Sequence, residues 1–190
     1  MNGLFGTKRY NSLDWYFKNK FGCKVAKIPL SGPFTCPNRD GTKGKGGCIY
    51  CSDKLSGEFA GNPCDSIEKQ FSEISEMMAK KWKNTKYMPY FQTGTATYAP
   101  VDVLRPLYET AISQKDVVGL SIATRPDCVG DDVLELLCDI SKKTYLTVEL
   151  GLQTIHDKTG LIITGRAHLQ SSRTVLKSSS PAELMYVCIS

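Results

Sequence analysis

The sequence predicts an α/β domain in which helices cover a mostly parallel sheet. Two observations carry that prediction. Short, nearly continuous apolar runs alternate with segments whose apolar residues recur at helical spacing, the pattern of successive βα units. Each strand-like run also ends in a segment richer in polar residues than the run that feeds it, as in sheets that gather ligands at the carboxyl ends of their strands. A chain of 190 residues suffices for one domain with a single substantial core, and 41% hydrophobic with 23% charged residues is an ordinary globular composition.

The elements follow in order. Residues 1–21 are set apart as a basic, helical N-terminal extension, and residues 22–190 as the core domain. "KVAKIPL" (24–30) reads as the first strand, ended by "SGP". A long loop, 31–64, is rich in Gly, Lys and Asn and holds Cys36, Cys48 and Cys51. "DSIEKQFSEISEMMAKKW" (65–82) reads as a helix with Asp65 as its N-cap and Glu68 three residues on, a capping-box variant. Its Ile67, Phe71, Ile74, Met78 and Trp82 form a core-facing stripe. The cycle repeats with a strand in "YMPYFQTG" (87–94), a helix in "VDVLRPLYETAIS" (101–113) starting around Asp102, a strand in "VVGLSIAT" (117–124), a helix in "DDVLELLCDISKK" (131–143) and a strand in "YLTVELGLQT" (145–154). Patterning weakens beyond residue 164, and "LMYVCIS" (184–190) opens a fifth strand.

Compartment and charge narrow the function. The N-terminus lacks the apolar segment and small-residue cleavage site of a secretory signal, and no apolar run reaches the length of a membrane span. The expected location is the cytoplasm, with no membrane partner, where eight cysteines argue for metal or catalysis over disulfides. The net charge of +5 is uneven: residues 1–54 carry +7 and the remainder −2. A basic N-terminal third suits a polyanion such as RNA, and equally a solvated face.

The spacing Cys36-x11-Cys48-x2-Cys51 admits two metal readings. Structural zinc wants four ligands, with Cys23 or Cys64, each separated from the nearest of the three by twelve intervening residues, as the fourth. An iron–sulfur cluster held by three thiolates would leave one iron open, and Gly46-Gly47 before Cys48 would let the backbone fold closely around it. Three unrelated core thiols do not suit so polar a loop. Spacing alone leaves zinc and cluster level.

The loop "FTCPNRDGTKGKGGCIYC", taken with "YFQTGTATYAP", "GLSIATRPDC" and "VELGLQTIHDKT", resembles radical SAM proteins of the YhcC/YtqA type, relatives of the Elongator catalytic subunit. The resemblance runs from about Tyr10 to about Thr159. It implies a partial TIM-type barrel of the radical SAM type, here incomplete at about four to five βα units, because the chain stops inside the fifth strand. Such a sheet, lacking its last strands and half the site wall, is expected to be poorly stable and inactive while keeping the cluster loop. The resemblance further implies a [4Fe-4S] cluster on Cys36, Cys48 and Cys51 whose open iron binds S-adenosylmethionine. A flavodoxin- or ferredoxin-type donor would supply the electron for its reductive cleavage. The implied substrate is tRNA, through wobble-uridine modification.

Residue by residue, the resemblance places Tyr50 near the adenine, and Gln92, Thr95 and Thr97 where the methionine amino group is held. Typical relatives would have asparagine at the position of Ala96. Thr124 and Arg125 would meet the methionine carboxylate, unless Arg125 merely pairs with Asp127. Glu149 and Gln153 would meet the ribose or substrate, unless Glu149 merely satisfies a lysine. His156 and His168 read as surface or helix-end residues, and Cys23, Cys64, Cys128, Cys138 and Cys188 as packed or incidental thiols. Two other readings stand beside the enzyme: a zinc-stabilised nucleic-acid-binding module, and an inactive truncated remnant.

Overall fold

A computed structural model describes residues 10–55, 57–154, 156–164 and 185–189. Five parallel strands, β1 (Lys24–Leu30), β2 (Thr85–Phe91), β3 (Gly119–Thr124), β4 (Tyr145–Gly151) and β5 (Met185–Ile189), lie side by side in chain order. An order without reversal is the arrangement of βα barrels, not of doubly wound sheets with their switch point. The connections carry α2 (Ile67–Lys81), α3 (Val101–Ile112), α4 (Asp131–Ser141) and α5 (Asp157–Thr164), and α1 (Leu13–Phe21) precedes the sheet. The fifth strand expected over 184–190 is present; His168 and the weakly patterned stretch before Met185 lie outside the described residues.

Strand alternation decides what each face buries. Ile28, Leu30, Phe91, Leu120, Ile122, Leu146, Val148 and Leu150 join Phe71, Leu104, Tyr108, Leu136, Leu137 and Ile140 of the helices in one core. Ile67 and Phe71 of the expected stripe are buried, and Ile74 and Met78 pack against that core. Neighbouring positions put Lys27, Tyr90, Ser121 and Glu149 on the opposite face, so its lining is polar. This face leads up to the site.

Element ends depart from expectation for local reasons. The α2 cap is Ser66, not Asp65: Ser66 Oγ accepts the Lys69 N–H at 3.3 Å, while Asp65 pairs with the Lys69 ammonium at 2.9 Å. β2 begins at Thr85, just after Asn84 turns the chain with φ +53°, and ends at Phe91 before a tight turn at Gly94. β4 leaves the sheet at Gly151, where the Leu152 N–H folds back onto the Leu150 carbonyl at 3.1 Å.

The basic extension lies at the far end of the sheet from the cysteines. Phe17 and Phe21 of α1 meet Tyr145, the first residue of β4, edge-on at 6.2 and 5.6 Å, and Lys20 sits over the same ring at 4.8 Å. A seven-residue strand spans about 20 Å, so the positive charge of residues 10–54 is divided between two ends of the sheet rather than massed beside the loop. Among the described residues no helix is long and apolar enough to cross a membrane.

Candidate functional site

The loop after β1 is built by its own backbone. The Cys36 carbonyl accepts the Arg39 and Asp40 N–H groups, the Pro37 carbonyl those of Lys43 and Gly44, and the Asn38 carbonyl that of Gly47 at 3.0 Å. A turn joins Cys48 to Cys51 through Cys51 N–H to the Cys48 carbonyl at 3.0 Å. The loop is then tied to its neighbours: the Thr95 N–H reaches the Thr35 carbonyl at 3.0 Å and the Gly94 N–H the Leu55 carbonyl at 2.9 Å. Gly94 needs φ +66°, and a Cβ there would come within 3.1 Å of the Thr35 carbonyl oxygen.

Among the glycines with positive φ, Gly47 has the tightest surroundings. Its φ is +87°, and a Cβ would stand 2.8 Å from Arg39 Nε. Arg39 in turn donates to the Cys51 and Ser52 carbonyls, so the glycine permits a guanidinium clamp across the loop. Gly47→Ala is expected to cost about 2 kcal/mol of unfolding free energy, and Gly46→Ala, at φ +84° with nothing within 4 Å, about 1 kcal/mol. Urea denaturation of the metal-free protein checks the difference; equal costs would mean that the Arg39 contact does not matter.

The carboxyl ends of β1 to β4 converge on a cavity of about 320 Å³. Cys36, Cys48 and Cys51 line it, together with seven of the eight predicted contact residues: Tyr50, Gln92, Thr95, Thr124, Arg125, Glu149 and Gln153. Thr97 is the exception. It is 2% exposed and stands behind the wall, sharing a hydrogen bond with the Thr124 hydroxyl and donating to the Cys128 carbonyl at 2.6 Å. Ala96 is also absent from the lining; it is fully buried in the core under the Tyr108 phenol, which donates to its carbonyl at 2.7 Å. Position 96 therefore belongs to the core and does not line the cavity.

Charges are distributed unevenly around the walls. Arg125 grips Asp127 through Nε at 2.9 Å and Nη2 at 2.8 Å, and Lys43 donates to the same carboxylate. Burial opposes ionisation of Asp127, but these two cations hold its carboxyl well below the usual range. The group carries one net positive charge beside Cys36, suited to an anionic occupant. So Arg125 does pair with Asp127, and it still faces the cavity.

Opposite, Glu149 accepts from Tyr90 Oη at 2.7 Å, from Ser121 Oγ at 2.9 Å and from the Lys27 ammonium. Burial pushes its carboxyl up, and the hydrogen bonds of Lys27 and Tyr90 with the Lys27 charge bring it below the ordinary value. Glu149 does satisfy a lysine, but one that reaches across the sheet from β1. Tyr50 is half-exposed, and partial desolvation with the neighbouring Cys48 and Cys51 pushes its phenol up. Gln153 sits at φ +70°, a strained conformation for a side-chain-bearing residue, and it lines the cavity.

Sequence reasoning passed over Leu55 and Tyr90 in the lining, and Asn38, Arg39 and Lys27 behind it. Tyr90 has a signal, since it alternates with the core residues Pro89 and Phe91 on a strand whose end was already suspect. The others depend on loop folding and sheet register.

Among the described side chains, the other cysteines place no fourth thiol on the cavity. Cys23 precedes β1 at the opposite end of the sheet, and Cys64 is exposed, its N–H bonded to Asn62 Oδ1 at 3.1 Å. Cys128 lies within electrostatic reach of Cys36 but outside the lining, and burial and the adjacent Asp127 push its thiol up to about 12. Among the described residues, no group of three or more His, Cys, Asp or Glu side chains is gathered as a ready-made metal site. His156 is exposed and caps the turn before α5 with its backbone.

The chain is similar to three bacterial and archaeal proteins. It is 53% identical over 161 residues to YtqA of Bacillus subtilis, covering 85% of this chain and 50% of that protein. It is 46% identical over 153 residues to YhcC of Escherichia coli, covering 80% and 48%. It is 35% identical over 156 residues to MJ0486 of Methanocaldococcus jannaschii, covering 80% and 47%. The chain thus spans about half the length of the curated relatives it matches. No family model matches it.

Proposed function

For a chain homologous to YtqA and YhcC across about half of their length, we propose the chemistry of a radical SAM enzyme, with Cys36, Cys48 and Cys51 holding a [4Fe-4S] cluster and a tRNA base as the substrate. The observation that carries this reading is the convergence of all three cysteines with seven strand-end residues on one cavity. The donor types suit the group: three thiols line one cavity, and an amide donates to one sulfur. When bound, the cluster would pass an electron to the sulfonium of S-adenosylmethionine, breaking a C–S bond to release methionine and a 5′-deoxyadenosyl radical.

The protein's own residues bind and orient. Arg125, with Lys43 behind it, offers charge to a carboxylate, and Asp127 holds the guanidinium in place. Glu149 and Tyr90 present hydrogen-bond acceptors to hydroxyl or ammonium groups, with orientation fixed by Lys27 and Ser121. Tyr50 lends a ring edge beside the cysteines. Thr97 steadies Thr124 from behind.

Zinc is the weaker reading, because none of Cys23, Cys64 and Cys128 lines the cavity. The substrate rests on less: loop lysines Lys45 and Lys54 stand exposed near the mouth, but the α1 lysines are at the other end of the sheet. Anaerobically reconstituted, dithionite-reduced protein is expected to convert S-adenosylmethionine to 5′-deoxyadenosine, and Arg125→Ala to weaken S-adenosylmethionine binding by about tenfold or more. A protein that holds its cluster and neither binds nor cleaves S-adenosylmethionine would overturn the assignment.

A further inference from the structure

We propose that Asn38 is a positioning residue that sets the reduction potential of the cluster through Cys48, an inference that rests on the cluster reading above. Asn38 is a polar side chain only 2% exposed, beside the buried Pro37 and flanked by the exposed Asp40, Gly41 and Thr42. A buried amide is costly unless its hydrogen bonds are made. Its Nδ2 points at Cys48 Sγ, 3.3 Å away, across ten residues of loop. Its own carbonyl takes the Gly47 N–H at 3.0 Å, so one residue fixes the backbone before Cys48 and donates to its sulfur.

The two bonds have different consequences. The backbone bond belongs to the peptide and survives any side-chain change at position 38. The side-chain bond brings a partial positive charge to a sulfur that grows more negative when the cluster accepts an electron. A donor in that place stabilises the reduced form more than the oxidised one, and hydrogen bonds to cluster sulfurs are among the terms that set such potentials.

The test is a potentiometric titration of the reconstituted full chain, read by electron paramagnetic resonance, in wild type, Asn38→Leu and Asn38→Asp at pH 8. Leucine removes the N–H at similar volume; aspartate keeps the shape, removes the donor and adds negative charge. Both are expected to retain iron and to be harder to reduce. At a fixed applied potential the reduced-to-oxidised ratio should fall about tenfold in Asn38→Leu, the scale of one hydrogen bond to a charged group, and further in Asn38→Asp. A wild-type midpoint in both variants overturns the proposal. So does a cluster that assembles in wild type but in neither variant, since the amide would then be holding the loop and not tuning the metal. Zinc in the wild-type protein, with no redox signal, would instead sink the cluster reading itself.

Discussion

Cys48→Ala is expected to abolish iron binding, and Cys36→Ala and Cys51→Ala to do the same, while Cys23→Ala, Cys64→Ala and Cys128→Ala leave iron at the wild-type level. The contrast follows from position. The first three thiols line one cavity; Cys23 stands at the other end of β1, Cys64 faces solvent, and Cys128 lies outside the lining. Thiolate ligands act as a set, so removing one strips the cluster and does not merely weaken it. Inductively coupled plasma analysis of the six variants after identical anaerobic reconstitution gives the answer. Loss of metal in Cys64→Ala or Cys23→Ala would point to a four-thiolate zinc site.

Glu149→Leu should destabilise the protein by about 3 kcal/mol. The carboxylate is 8% exposed and serves Lys27, Tyr90 and Ser121 together. Its removal leaves a fully buried Ser121 hydroxyl without its acceptor and a lysine, 30% exposed, without its counter-charge. Glu149→Gln, which keeps the shape and part of the hydrogen bonding, should cost less, about 1–2 kcal/mol. Lys27→Met added to Glu149→Leu should recover part of the loss, because the stranded charge goes with it. The pH dependence has a definite sign. The folded carboxyl is held below its unfolded value of about 4.3, so the stabilisation is complete above that pH and is lost as pH falls through the folded value. Urea unfolding at pH 7 and pH 4 should show a smaller acid loss in Glu149→Gln than in wild type; identical acid losses would mean that Glu149 is not the group responsible.

What the sequence revealed of this site, and what it hid, divides along one physical line. The three cysteines and the strand-end residues were legible because a parallel sheet assembles its carboxyl ends at one place whatever the intervening helices do. Which strand residues face the helices was not legible in the nearly continuous apolar runs; the core from Ile28 to Leu150 shows the alternation. Contacts set by tertiary register were not legible. Lys27 and Glu149 are separated by 122 residues and meet only because β1 to β4 stack in chain order. Asn38 and Arg39 sit in a stretch where neither helical nor strand periodicity exists to read. Thr97 lay on the right segment, but the chain turned it toward Cys128 and away from the cavity. The charge of the N-terminal third misled in the same way: α1 docks on Tyr145, so bases that are contiguous in sequence are parted in space. At Asp65 and Ser66 two capping residues stood side by side, and the start of α2 at Ile67 selects the nearer.

The central claim is that three thiolates hold an iron–sulfur cluster with one coordination position left for a substrate. It is tested most directly by iron, zinc and acid-labile sulfide content of the anaerobically reconstituted protein, with electron paramagnetic resonance of the reduced sample before and after adding S-adenosylmethionine. The expected result is about four iron and four sulfide ions per chain, with a spectrum that changes when S-adenosylmethionine is added. One zinc per chain without sulfide, or a cluster spectrum indifferent to S-adenosylmethionine, would contradict it.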